Sequence, residues 1–253
     1  MSAESEASGF DPNRIIYHAE GLLAYDKPAG IPVHRGTGHD VGVVEALKTW
    51  VSVNPRMIDS SHGKKIHPLN LLEKDTSGVL LLGLSPKVTR DVRASAESLP
   101  RQFLAIVAGQ LLEAGTIEGK VRSRVSGRFQ WVSAEIEFER LRADDRLNLV
   151  RVVPKTSRAH QIRSLFGNAG TPLGGDLDYG KKAPAKKFRE RYDVDHYLLH
   201  AHRLTVPRRA LGQALEFEVP PPESFLRVVR EKGWEDALNP GEKSNESETA
   251  SES

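Results

Sequence analysis

The 253-residue chain contains no cysteine. That excludes thiol nucleophiles, disulfides and cysteine-ligated zinc or iron–sulfur clusters. Nor does it hold an apolar run near the ~20 residues that a membrane-spanning helix needs. The opening MSAESEASGFDP lacks the basic-then-apolar order of a secretory signal. From these absences the protein is expected to be soluble and cytoplasmic, without a membrane partner. Basic residues are also missing from 1–12, and 231–253 carries seven acids against two bases. Setting those ends aside, at net −3 and −5, turns the overall +2 into +10 for residues 13–230. A body that basic suits a polyanion, because Lys and Arg bound to phosphates release counterions. The ends, 1–12 and 233–253, are rich in Ser and Glu with little to bury, and are expected to be disordered acidic tails around one domain at 13–232.

Within that body, short strand-like runs recur. Residues 14–18 and 22–25 predict the arms of a hairpin, and Lys27-Pro28-Ala29-Gly30 a turn. Helical spacing covers 43–51 and 85–98, the second with Ser85 placed as N-cap and Pro86 at the first helical position. Strands are expected at 79–82, 103–108, 131–141, 147–153, 197–206 and 215–219. Residues 157–169 read as a strand passing into a helix that stops at Gly170. Strands in runs with a few helices between them argue for an α+β fold rather than repeated βαβ units.

Three stretches carry residues suited to chemistry. The loop Glu73-Lys74-Asp75-Thr76-Ser77-Gly78 places two carboxylates and two hydroxyls before the apolar strand that follows. In SRAHQIRSLFGNAGTPLGGDLDYG, 157–180, Arg158, His160 and Arg163 precede a glycine-rich loop with Asp176, Asp178 and Tyr179. Arginine forks clamp phosphates or carboxylates, and glycines let a ligand approach the backbone. The basic run holding Lys181, Lys182, Lys186, Lys187 and Arg189 suits a nucleic-acid groove or, more plainly, a solvated face. His200 and His202 share one strand face and, with Asp176 and Asp178, keep a metal-dependent hydrolase open as an alternative.

Taken in order, YDKPAGIPVHRG (25–36), EKDTSGVLLLG (73–83), SRAHQIR with PLGGDLDYG (157–180), and LLHAHRL followed by FEVPPP (198–204, 217–222), with a fifth, weaker stretch RQFLAIVAG (101–109), are similar to the motifs of the RluA-type RNA pseudouridine synthases. The resemblance implies a pseudouridine synthase fold, a central, largely antiparallel or mixed sheet with flanking helices and an RNA-binding cleft. It implies isomerisation of uridine to pseudouridine in structured ribosomal or transfer RNA, without metal or organic cofactor. A monomer whose partner is RNA is expected. In such enzymes one aspartate handles the ribose C1′ after the base leaves; here the ungapped match to Thr76-Ser77-Gly78 puts Glu73 at that place. The gapped match puts Asn70 there. Arg163 matches the arginine that pairs with the catalytic carboxylate, and Phe103 stands where a tyrosine meets the uracil. Arg158, His160 and the lysine run are the expected RNA contacts. Glutamate is one methylene longer than aspartate, so shortening Glu73 is expected to improve turnover. The rival reading is an inactive relative that binds RNA and serves RNA or ribosome assembly.

Overall fold

The computed structural model describes residues 10–36, 41–54, 65–95, 99–125 and 127–238. Ten strands among them join one sheet: β1 (Ile15–Ala19), β2 (Leu22–Lys27), β3 (His67–Pro68), β4 (Ser77–Gly83), β5 (Arg101–Ala108), β6 (Ala114–Val125), β7 (Arg128–Ala143), β8 (Leu147–Pro154), β9 (Leu199–Val206) and β10 (Leu215–Glu218). Its order is β1-β2-β4-β9-β5-β8-β7-β6, with β3 beside β4 and β10 beside β9. The helices are α1 (Val43–Val53), α2 (Pro86–Arg93), α3 (Gln161–Asn168), α4 (Lys182–Tyr192), α5 (Arg208–Leu211) and α6 (Glu223–Glu231). The strand pairs are antiparallel except β4 with β9, so the sheet is mixed and the fold α+β, as expected.

Period-2 alternation explains the two faces. In β2 and β4, Leu23, Tyr25, Leu80 and Leu82 face the core under α1, while Leu22, Ala24, Val79 and Leu81 pack with α2 residues Val88 and Val92. Burial on both sides is why β4 reads as an unbroken apolar run. The β4–β9 pairing covers only Ser77 with His200 and Gly78 with Ala201. Gly78 has φ +110, and a Cβ there would lie 2.2 Å from the Ala201 carbonyl oxygen, so glycine is required for this approach.

Several boundaries differ from the sequence reading. The second helix ends at Arg93 rather than Ser98, and 96–98 lie outside the described residues. Ser85 does cap it, accepting from Val88 N at 3.2 Å. Residues 157–160 are not a strand, and β6 and α4 were not foreseen, nor was α6, although Phe225, Val228 and Val229 repeat at helical spacing on its buried face. Phe10 is buried and stacks on Tyr25 at 5.0 Å, and Trp234 is buried in the cluster with Phe225 and Val229. Packed chain therefore extends past both ends of 13–232; the rest of both tails, 1–9 and 239–253, lies outside the described residues. Among the described residues no helix is long and apolar enough to cross a membrane.

The parallel joint generates a pH dependence. His200 is fully buried; its Nδ1 meets Ser77 Oγ at 2.9 Å and its Nε2 meets the Val219 carbonyl at 3.1 Å. Burial drives its pKa from 6.5 down to about 4. Between those values the unfolded chain binds a proton that the folded one refuses, so this stabilisation is complete above pH 6.5 and is lost as pH falls toward 4. Urea unfolding from pH 7 to 4 is expected to show a loss from this group of up to about 3 kcal/mol, and a His200→Gln variant is expected to lose correspondingly less over that range.

Candidate active site

Glu73 sits in the loop that enters β4, and Arg163 in the first turn of α3, whose N-cap His160 adopts φ 56. A positive φ is uncommon outside glycine and holds the chain in a sharp entry to the helix. Arg163 Nη1 donates to Glu73 Oε2 at 2.6 Å. Its Nε and Nη2 form a fork on Asp176, at 2.7 and 2.9 Å, and Nη2 also donates to Asp178 at 2.7 Å. The guanidinium also lies over the rings of Tyr197, at 4.0 Å, and Tyr179, at 5.0 Å. The guanidinium is thus fixed in position and direction before any ligand arrives.

Burial works against the charge on Arg163, but Asp176, Glu73, Tyr197 and Asp178 raise its pKa well above the ordinary value. Burial alone would push Asp176 up; the Arg163 fork and the amides of Tyr179 and Asp178 hold it below the usual carboxylate range instead. Asp176 is completely buried and its Oδ1 accepts from both those amides, so it shapes the glycine-rich loop as well as the arginine.

Tyr197, which the sequence reading did not single out, donates from its hydroxyl to Glu73 Oε2 at 3.2 Å and meets Thr76 Oγ1 at 3.1 Å. Burial first, then the negative charge of Glu73, raises its pKa far above the ordinary tyrosine value, so the phenol remains a donor. Nothing in local sequence marks this residue; only the parallel contact of β4 with β9 brings it near Glu73. On the other side, Lys27 Nζ is buried and donates to the carbonyls of Pro28, Ile31 and Lys74, at 2.8, 2.6 and 2.8 Å, tying the turn at 27–31 to the Glu73 loop.

Glu73 opens onto a cleft of about 400 Å³ whose lining also includes Thr76, Phe103, Arg158, His160 and Arg101. The structure therefore brings Glu73, Phe103, Arg158 and His160 together, with Arg163 beneath them. Phe103 presents a nearly buried ring without a polar tip. Arg101 and Arg158 each keep a buried Nε without a hydrogen-bond partner among the described residues. Arg101, on β5, was not foreseen as a site residue.

Other expectations are corrected. Asn70 is no site residue: its Oδ1 accepts from Leu81 N at 2.7 Å and its Nδ2 donates to the Val79 carbonyl at 2.9 Å, so its amide is consumed in extending the β3–β4 pairing. The metal alternative fails on geometry. Asp176 and Asp178 face Arg163, whereas His200 and His202 both turn to the Val219 carbonyl. No cluster of three such ligands occurs among the described residues. Lys181, Lys182, Lys186 and Lys187 are exposed at the start of α4 and along it, outside the cleft; Lys181 and Lys187 line a separate groove of about 800 Å³ beyond Tyr179. Arg189 is held by the carbonyls of Gly175, at 2.8 Å, and Asp195, which makes it a tie between α4 and the glycine-rich loop.

A carboxylate clamped by a prepositioned arginine, in a cleft rimmed by two further arginines and an aromatic ring, defines a site for chemistry on an anionic, base-bearing ligand. The comparisons with known proteins specify the class. The family model of RNA pseudouridylate synthase matches residues 21–168, more than half of the chain, and the chain belongs to that family. It is 26% identical over 248 residues to the tRNA pseudouridine synthase C of Vibrio cholerae, covering 88% of this chain and 97% of the relative. To the ribosomal large subunit pseudouridine synthase D of Pseudomonas aeruginosa it is 30% identical over 251 residues, covering 90% and 76%. The solved structure of human RNA pseudouridylate synthase domain containing 4 superposes with a TM-score of 0.68 at 19% identity, over 86% of this chain and 92% of that one, which shows a shared fold.

Removing the charge of Asp176 would leave the buried guanidinium without its fork. Asp176→Asn is expected to lower the unfolding free energy by about 3 kcal/mol, read by urea denaturation, and far more than Asp178→Asn, whose side chain is 72% exposed.

Proposed function

We propose that the protein isomerises uridine to pseudouridine in structured ribosomal or transfer RNA, acting as a cytoplasmic monomer with Glu73 as the carboxylate that attends C1′. The observation that carries this reading is the 2.6 Å contact between Glu73 and an arginine already fixed by Asp176. The reaction breaks the N1–C1′ bond and forms C5–C1′; C5 loses a proton and N1 ends with one, so no atom is gained or lost. Bond breaking leaves oxocarbenium character on the ribose, which an adjacent carboxylate stabilises or traps. Both anchoring hydrogen bonds end on Glu73 Oε2, so Oε1 is the oxygen available to C1′. Arg163 holds that carboxylate in place, and the Phe103 ring stacks on the displaced base. The resemblance supports RNA contacts by Arg158 and His160 at the cleft, and by Lys181, Lys182, Lys186 and Lys187 further along the RNA.

The length of Glu73 reads differently with the geometry in hand. The longer side chain already reaches Arg163 and Tyr197, so aspartate would withdraw its oxygens by about one carbon–carbon bond, ~1.5 Å. Shortening is thus expected to impair the site rather than repair it. The loss of a phenol at Phe103 favours the second reading, an inactive RNA-binding relative.

Tritium release from ribosomal and transfer RNA transcripts labelled at uridine C5 separates the two. Parent protein is expected to release tritium and Glu73→Gln to fall to background, while Glu73→Asp falls roughly 10- to 100-fold. Tyr197→Phe, which keeps the ring over Arg163 and removes one donor to the carboxylate, is expected to lower kcat about tenfold with KM unchanged. Parent and Glu73→Gln giving the same background, with both binding RNA, would establish the inactive reading.

A further inference from the structure

The longest hairpin, β6 with β7, ends in an exposed face that the proposed reaction does not use. Register pairs Lys120 with Ser133, Arg122 with Trp131 and Arg124 with Phe129. Alternation places all six on the hairpin face opposite Val121 and Ala134, which are buried toward α3. Phe129 is 65% exposed and Trp131 68% exposed. The Arg122 guanidinium lies 4.7 Å over the Phe129 ring. Toward the base of the same face the charges change sign and become paired, Glu137 with Lys155 and Glu139 with Arg151. Bare aromatic rings, and cations without a carboxylate partner, therefore lie in the outer half.

We infer that this hairpin face is a stacking platform for a single-stranded stretch of RNA flanking the target uridine. An exposed apolar pair with no cations would suit a protein partner, and cations alone would suit any polyanion. A row of rings on β7 beside a row of arginine and lysine on β6 matches a strand's bases lying beside its phosphates, and only an unpaired strand offers its base faces. A route to the cleft exists: Lys120 and Ser133 share a shallow hollow with Thr156, and Thr156 also lines the cleft beside Arg158. The platform rests on the reading of RNA as substrate, but it is tested by binding rather than turnover.

The test uses full-length protein and a fluorescent single-stranded oligouridine, with a duplex RNA of equal length and phosphatidylserine vesicles as the other arms. Parent protein is expected to bind the single strand more tightly than the duplex, with stacking quenching the Trp131 emission. Phe129→Ala with Trp131→Ala should weaken single-strand binding about tenfold or more and leave duplex binding and the thermal midpoint in place. Arg122→Ala with Arg124→Ala should reduce the slope of log affinity against log salt by about one to two. Trp131→Phe should keep affinity and lose the quenching. Single-strand affinity unchanged in the double-aromatic variant overturns the platform even if the parent forms pseudouridine. Vesicle capture that depends on the same two rings, without oligouridine binding, also overturns it and assigns the face to a membrane surface. An active parent with an intact platform and an inactive parent with one are told apart by the tritium assay, so failure of the platform and failure of the isomerase reading stay separate.

Discussion

Arg163 organises the site. One guanidinium holds the glycine-rich loop through Asp176, the rim through Asp178 and the reactive loop through Glu73, while two tyrosine rings fix its plane. Segments from three parts of the chain, 73–76, 161–168 and 176–179, are thereby referred to one planar group. Burying such a cation is unfavourable unless its donors are satisfied, and four of its five N–H groups are used on carboxylates. The arrangement spends no binding energy on orientation when a ligand arrives, which is what preorganised electrostatics requires.

The backbone supplies the same rigidity from below. Glu73 precedes β4, whose residues are buried on both faces, and Gly78 lets that strand approach β9 closely enough to carry Tyr197 to the carboxylate. Lys27 binds the neighbouring turn to the Lys74 carbonyl. The loop bearing Glu73 is thus held at both ends and along its side, so a side-chain exchange there acts on chemistry before it acts on the backbone.

Much of this was legible from sequence, for identifiable reasons. Apolar alternation and runs located most of the strands, and Ser85-Pro86 marked the start of α2, because those signals are local. The family resemblance paired Glu73 with Arg163, and a 2.6 Å contact joins them although 90 residues separate the two. What escaped were relations set by strand pairing. Asn70 and Glu73 are three residues apart and both polar, yet one completes a ladder and the other enters the cleft. Tyr197 and Arg101 have no local mark, and β6, unlike its partner β7, hides its periodicity because Gly115 and Gly119 take inward positions where an apolar side chain would mark the face. The lysines of α4 were visible as charge, but charge does not tell which groove a helix will border.

The site also shows how a changed side chain is accommodated. Glutamate at 73 and phenylalanine at 103, taken one at a time, each remove something: the first displaces a carboxylate, the second deletes a hydroxyl. In three dimensions the longer acid reaches a partner that a shorter one would miss, and a hydroxyl arrives from β9's entry, at Tyr197, to share the same oxygen. The two phenol positions are not equivalent. A tyrosine at 103 would face the base from the cleft wall, whereas Tyr197 lies under the carboxylate and, through Thr76, belongs to the reactive loop itself. In the proposed reaction its hydroxyl acts on the carboxylate and not on the uracil. On that proposal the base has an apolar ring to stack on, and polar recognition of its edge falls to the groups at the rim, Arg101, Arg158 and His160.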